Sequence, residues 1–193
     1  GPGDVFPRSA VHRLGLGELL DAAYKFFPSE NDLDDDDDII KVAVIGKPNA
    51  GKSSLVNKLL GEDRSIVSDI PGTTRDAIDS ELISEQGRYL LIDTAGLRKK
   101  SRIDENVEKY SMIRSLAAIE RADVCLILID AAEGVTEQDT KVAGYAHQAG
   151  KSCILAVNKW DLIEKDTGTL EQYQKQVRSR FGFMQYAPVI FIS

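Results

Sequence analysis

The chain has 193 residues, 42% of them hydrophobic, and a formal net charge of −7. That length suits one full domain with an extra piece and a sizeable core, and the acidic balance argues against nucleic acid binding over the whole surface. No apolar stretch approaches the ~20 residues of a transmembrane helix, and no secretory signal is visible, although Gly1-Pro2 reads as a cloning scar. The two cysteines, Cys125 and Cys153, lie in apolar strand-like runs and read as small core residues of a reduced, cytoplasmic protein.

In chain order, residues 4–27 read as a strand fragment, a loop and a helix. Residues 17–27 set Leu19, Leu20, Ala23, Phe26 and Phe27 at helical spacing before Pro28. Residues 29–38 are acidic, with aspartates at 34–38, and read as an extended, self-repelling linker rather than a metal site. This predicts an N-terminal unit over 1–28, a linker over 29–38 and a main domain over 39–193. From residue 39 the pattern alternates: strand 39–45, helix 52–60, a hairpin of 78–84 and 89–92, helix 106–119, strand 124–129, helix 137–149 ending at Gly150, strand 152–157, helix 170–181 and strand 189–192. Such alternation predicts an α/β fold, a mostly parallel sheet with helices on both faces and a ligand beyond the carboxyl ends of its strands.

Three motifs fall at those strand ends. Gly46-Lys47-Pro48-Asn49-Ala50-Gly51-Lys52-Ser53 fits the phosphate loop G-x-x-x-x-G-K-[ST] in its strand–loop–helix context, with Ser54 beside it. Gly46 and Gly51 let backbone N–H groups turn towards polyphosphate oxygens at a helix N-terminus. Lys52 supplies a charge to the β- and γ-phosphates, and Ser53 a hydroxyl to Mg²⁺. Asp93-Thr94-Ala95-Gly96 closes the strand 89–92. Its aspartate suits Mg²⁺ through water, and Gly96 can approach the γ-phosphate with its N–H. Asn158-Lys159-Trp160-Asp161 closes the strand 152–157. The Asp161 carboxylate can accept from the N1–H and 2-amino group of guanine, a donor pair that adenine lacks. Asn158 suits guanine and a tether to the phosphate loop, the Lys159 stem suits the base face, and Trp160 reads as packing. Thr74, favoured over Thr73, lies in a segment of residues 68–76 that can complete Mg²⁺ coordination when the γ-phosphate is present.

The order of GKPNAGKSS, IPGTTRD, DTAG and NKWD resembles the translation-factor-related branch of P-loop GTPases. The stretch DTAGLRKKSRIDENVEKYSMIRSLAAIERAD is similar to the second G domain of the Der (EngA) family of bacterial ribosome-assembly GTPases. The resemblance covers about residues 4–193, and it implies a P-loop NTPase G domain that hydrolyses GTP to GDP. It implies as partners the large ribosomal subunit and its rRNA, a neighbouring G domain and a KH-like domain, and no membrane. A related tRNA-modification GTPase domain fits the phosphate loop but explains the stretch after DTAG less well.

Further expectations follow from that resemblance. Leu97 stands where Ras-like enzymes carry a water-orienting glutamine, and related GTPases with this replacement and an asparagine at the position of Asn49 use K⁺. Asn49 is therefore the expected K⁺ ligand, and Lys52, Asn49, Thr74 and Gly96 the expected catalytic set, with Ser53, Thr74 and Asp93 on Mg²⁺. Ser193 would be the first residue of the Ser-Ala motif that backs guanine O6, so the domain is expected to stop before its final helix. Ser9-Ala10 and the helix over 17–27 resemble the tail of a preceding G domain. A linker spanning up to about 35 Å would let that helix occupy the vacant place. The basic stretch Arg98-Lys99-Lys100-Ser101-Arg102 is either solvated surface or a contact to rRNA or a neighbouring domain.

Overall fold

The computed structural model describes residues 39–61, 79–84, 87–94, 97 and 107–193, with side chains in the last stretch from Met112 onward. The N-terminal unit, the acidic linker, Thr74, Gly96 and the basic stretch 98–102 lie outside the described residues.

The described residues form one six-stranded sheet in the order β2-β3-β1-β4-β5-β6. The strands are β1 Ile39–Ile45, β2 Ser80–Ser84, β3 Gly87–Ile92, β4 Val124–Asp130, β5 Ser152–Asn158 and β6 Val189–Phe191. β2 pairs with β3 antiparallel and every other pairing is parallel. The helices are α1 Lys52–Gly61, α2 Val107–Arg121, α3 Glu137–Gln148 and α4 Thr169–Arg180.

Strand alternation divides the core in two. Ala43, Ile45, Ile127, Ile129, Leu155 and Phe191 face one way, into a cluster with Ile119 of α2, Val142 and Ala146 of α3 and Val177 of α4. Val42, Val44, Leu126, Leu128 and Ile154 face the other way, with Val56 and Leu59 of α1. Because both faces are covered, β4 is buried from end to end, which explains its unbroken VCLILID run. Each fully buried Leu or Ile contributes roughly 1.5–3 kcal/mol relative to exposure.

Element ends differ from the sequence expectation for identifiable reasons. β4 and β5 each run one residue further than expected, because Asp130 and Asn158 are register partners. α2 continues to Arg121 and stops where the Asp123 N–H turns to the Lys41 carbonyl of β1 at 2.8 Å. α3 starts with a reciprocal cap between Thr136 and Asp139. It ends at Gln148 with Ala149 as its cap, one residue earlier than expected, and Gly150 follows the cap with a left-handed φ of +69° that lets its N–H and that of Lys151 reach the His147 and Ala146 carbonyls.

Candidate nucleotide site

The loop between β1 and α1 is shaped by two glycines that tolerate no side chain. A Cβ on Gly46 would lie 2.5 Å from the Leu128 carbonyl oxygen, and one on Gly51 would lie 2.1 Å from Asn158 Nδ2, both at positive φ. Asn49, exposed at the tip, also has a left-handed φ of +63°, which asparagine adopts more readily than most residues. The Lys52 ammonium folds back and donates to the Gly46 and Lys47 carbonyls at 2.7 and 2.6 Å. Burial pushes its pKa down to about 8, with the Asp139 charge working the other way. Ser53 and Ser54 are exposed in the first turn of α1, and that turn carries no acidic residue to offset its partial positive charge. Pro48 is half-buried and Ala50 fully buried. Lys47 is also buried, and its ammonium lies beside Glu133 and Asp139.

Asp93 follows β3 with a left-handed φ of +56°, and its N–H donates to Asp79 Oδ1 at 2.9 Å. Its carboxylate lies 3.3 Å from the Arg114 guanidinium of α2, while Arg121 of the same helix pairs with Asp79. Burial raises the Asp93 pKa, and Arg114 opposes the rise. Thr94 is buried with its hydroxyl 2.7 Å from that of Ser80. Leu97 is half-buried against the α1-side cluster.

At the end of β5, Asn158 Nδ2 donates to the Ala50 carbonyl at 2.9 Å, which is the tether expected from the sequence. Lys159 adopts a left-handed φ of +61°, and its ammonium meets Asp130 Oδ2 at 2.5 Å. Partial burial alone would raise the Asp130 pKa, but the Lys159 ammonium and the Ala132 N–H prevail and hold it below the usual carboxylate range. Asp161 is exposed in the short 3₁₀ turn Trp160–Leu162. Trp160 is buried and packs on Phe191 and Tyr173, with ring centroids 4.6 and 5.1 Å away, so it is a packing residue as expected. The Trp160 backbone N–H donates to the Ile192 carbonyl at 3.1 Å, which brings the half-buried Ser193 to the same edge as Asp161.

The structure thus gathers the phosphate loop, Asp93, Asn158, Lys159, Asp161 and Ser193 around the carboxyl ends of the strands. The sequence reading missed the charges that hold them, namely Asp79, Arg114, Arg121, Asp130, Glu133 and Asp139. Asp130 alone carried a usable signal, as an acid closing an apolar strand run; the others sit in stretches with ordinary surface composition. The cradle fits a polyphosphate: its glycines exclude a Cβ, and a lysine waits on carbonyls at its base.

A phosphate loop at the head of a mostly parallel sheet, joined by a side-chain amide to an Asn-Lys-x-Asp segment, defines a P-loop G domain. Residues 41–159 match the model of the family described as 50S ribosome-binding GTPase, and the chain belongs to that family. Over its whole length it is 65% identical to GTPase Der of Acetivibrio thermocellus and 62% identical to GTPase Der of Ruminiclostridium cellulolyticum, and it spans 44% of each. The solved structure of Era in complex with MgGDPNP and a segment of 16S ribosomal RNA has a TM-score of 0.59 and 27% identity, covering 81% of this chain and 51% of that one.

Proposed function

We propose that residues 39–193 are the second G domain of a Der-type GTPase, preceded by the tail of the first G domain over 1–28 and an acidic linker over 29–38. The domain binds GTP and GDP with Mg²⁺, hydrolyses GTP, and serves as a switch in cytoplasmic assembly of the large ribosomal subunit. The observation that supports this best is the Asn158–Ala50 hydrogen bond, which couples the base-reading segment to the phosphate loop. Asp161 reads guanine, and Asn158 and the Lys159 stem frame it, with Ser193 at O6. Lys52 exchanges its loop carbonyls for phosphate oxygens. Ser53, Asp93 and Thr74 hold Mg²⁺, which when bound neutralises phosphate charge. Gly96 offers its N–H to the γ-phosphate. Binding of GTP with no comparable binding of ATP is the expected outcome in a competition assay; equal binding would remove the reading.

The exposed, left-handed Asn49 supports a second metal, K⁺, beside the phosphates, where Leu97 offers no polar group to orient water. Hydrolysis faster in K⁺ than in Na⁺ at matched ionic strength is expected, and Asn49→Ala should abolish the preference. The half-buried Leu97 also favours an alternative, a nucleotide-dependent binding module with negligible hydrolysis; single-turnover assays with Mg²⁺ and K⁺ separate the two. The basic stretch 98–102 is the proposed rRNA contact, so its charge reversal should weaken ribosome binding and flatten its salt dependence.

A further inference from the structure

The second residue of the phosphate loop carries a charge that the nucleotide reading does not use. Lys47 is only 5% exposed, and its ammonium lies 2.7 Å from Glu133 Oε2 and 3.8 Å from Asp139 Oδ2. The Glu133 contact has the distance of an ion pair but not the angle of a hydrogen bond, so the ammonium is neutralised without being saturated. Glu133 is 60% exposed, whereas Asp139 is fully buried. One Asp139 oxygen accepts from the Thr136 N–H and hydroxyl, and the other has no hydrogen-bond partner among the described residues. Burying a half-satisfied carboxylate is costly, and a cation beside it offsets part of that cost.

Two lysines of the same loop feel this anion. Lys47 approaches it directly, and the Asp139 charge also acts on Lys52. Lys52 instead rests on the Gly46 and Lys47 carbonyls, so the backbone of Lys47 sets where the phosphate-binding ammonium waits. We propose that Lys47 is a positioning residue: its buried ammonium neutralises Asp139 at the head of α3, anchors the first turn of the phosphate loop there, and so leaves Lys52 free for phosphate. Without Lys47, the unpaired Asp139 carboxylate competes with the nucleotide for Lys52. This inference rests on the guanine-nucleotide reading above.

The test is a double-mutant cycle on this chain, read as the Kd for N-methylanthraniloyl-GDP with Mg²⁺ and the Tm of each variant. Binding of the probe by the wild type is the control on the functional reading itself. Lys47→Met is expected to raise Kd on the order of tenfold, the coupling expected between charges in contact. Lys47→Arg, which restores a cation, and Lys47→Met combined with Asp139→Asn, which removes the competitor, should each return Kd to within about threefold of wild type. A role confined to anchoring the loop predicts a double variant as weak as Lys47→Met, since the anchor stays lost, and a pair that matters only for folding predicts losses in Tm that Kd does not follow. Tight binding by Lys47→Met, or a double variant as weak as Lys47→Met, would overturn the proposal. If Lys47→Met does not fold, the double variant decides alone: a loss of about tenfold or more in it overturns the proposal.

Discussion

Asn158 and Ala50 are joined by an amide-to-carbonyl hydrogen bond of 2.9 Å that ties the end of β5 to the phosphate loop. The bond has a steric counterpart, since the same amide nitrogen occupies the space a side chain on Gly51 would need. Asn158→Ala is therefore expected to cost about 1–3 kcal/mol, by leaving a partly buried carbonyl unpaired, and to weaken nucleotide binding. Gly51→Ala should be worse, because it adds a clash to a φ of +99°. Denaturant titration of both variants, with and without GDP, checks the order.

Asp161 stands exposed on its 3₁₀ turn, so replacing it leaves the core untouched. Asp161→Asn should lower affinity for GDP by at least about tenfold and raise it for xanthosine diphosphate, with Tm nearly unchanged. Competition binding with the two diphosphates reads the exchange directly. A uniform loss for both bases would mean that Asp161 does not read the base.

Lys52 yields a pH prediction whose sign is fixed by its surroundings. Its pKa in the unliganded fold is lowered to about 8, so above that pH the free protein holds a neutral amine. Phosphate oxygens favour the ammonium, so binding above pH 8 takes up a proton and Kd for GDP rises with pH. The effect on folding runs the other way. Burial of the cation opposes folding below about pH 8, and that opposition fades as pH climbs towards the ordinary lysine value. Calorimetry at pH 8.5 in buffers of different ionisation enthalpy measures the proton uptake.

Arg114 engages the carboxylate that Mg²⁺ is proposed to use. The pair spans 3.3 Å and the arginine is half-exposed, so solvent screens it strongly. Arg114→Ala should accordingly lower the Mg²⁺ concentration needed for half-maximal nucleotide binding by only about twofold to fivefold. A Mg²⁺ titration at fixed nucleotide gives that midpoint; a higher midpoint would show that Arg114 orders the site instead of competing for it.

Trp160 packs the base-reading turn onto β6. Trp160→Ala removes contacts to Phe191 and Tyr173 and is expected to destabilise the domain by about 3–5 kcal/mol. The backbone N–H bond from residue 160 to the Ile192 carbonyl survives the substitution, so nucleotide affinity should fall only as far as the lost ring packing loosens the base-reading turn. Thermal unfolding with and without GDP follows both effects.

The motifs were readable in the linear chain because each is a local backbone device. Gly46 and Gly51 bracket one turn, Lys52 and Ser53 open one helix, and Asn158 and Asp161 sit one turn apart, so spacing alone encodes their geometry. The alternation of apolar strands and amphipathic helices likewise implied a doubly covered sheet, since an element buried on both faces must be apolar throughout, as β4 is. The charge network was not readable. Lys47 meets Asp139, Lys159 meets Asp130 and Arg121 meets Asp79 only because the strand order β2-β3-β1-β4-β5-β6 brings distant chain segments to one rim. A lysine or aspartate carries the same local signal on a solvated surface as in a buried pair. What separates the two is desolvation, a property of the folded surroundings that residue type and spacing do not record.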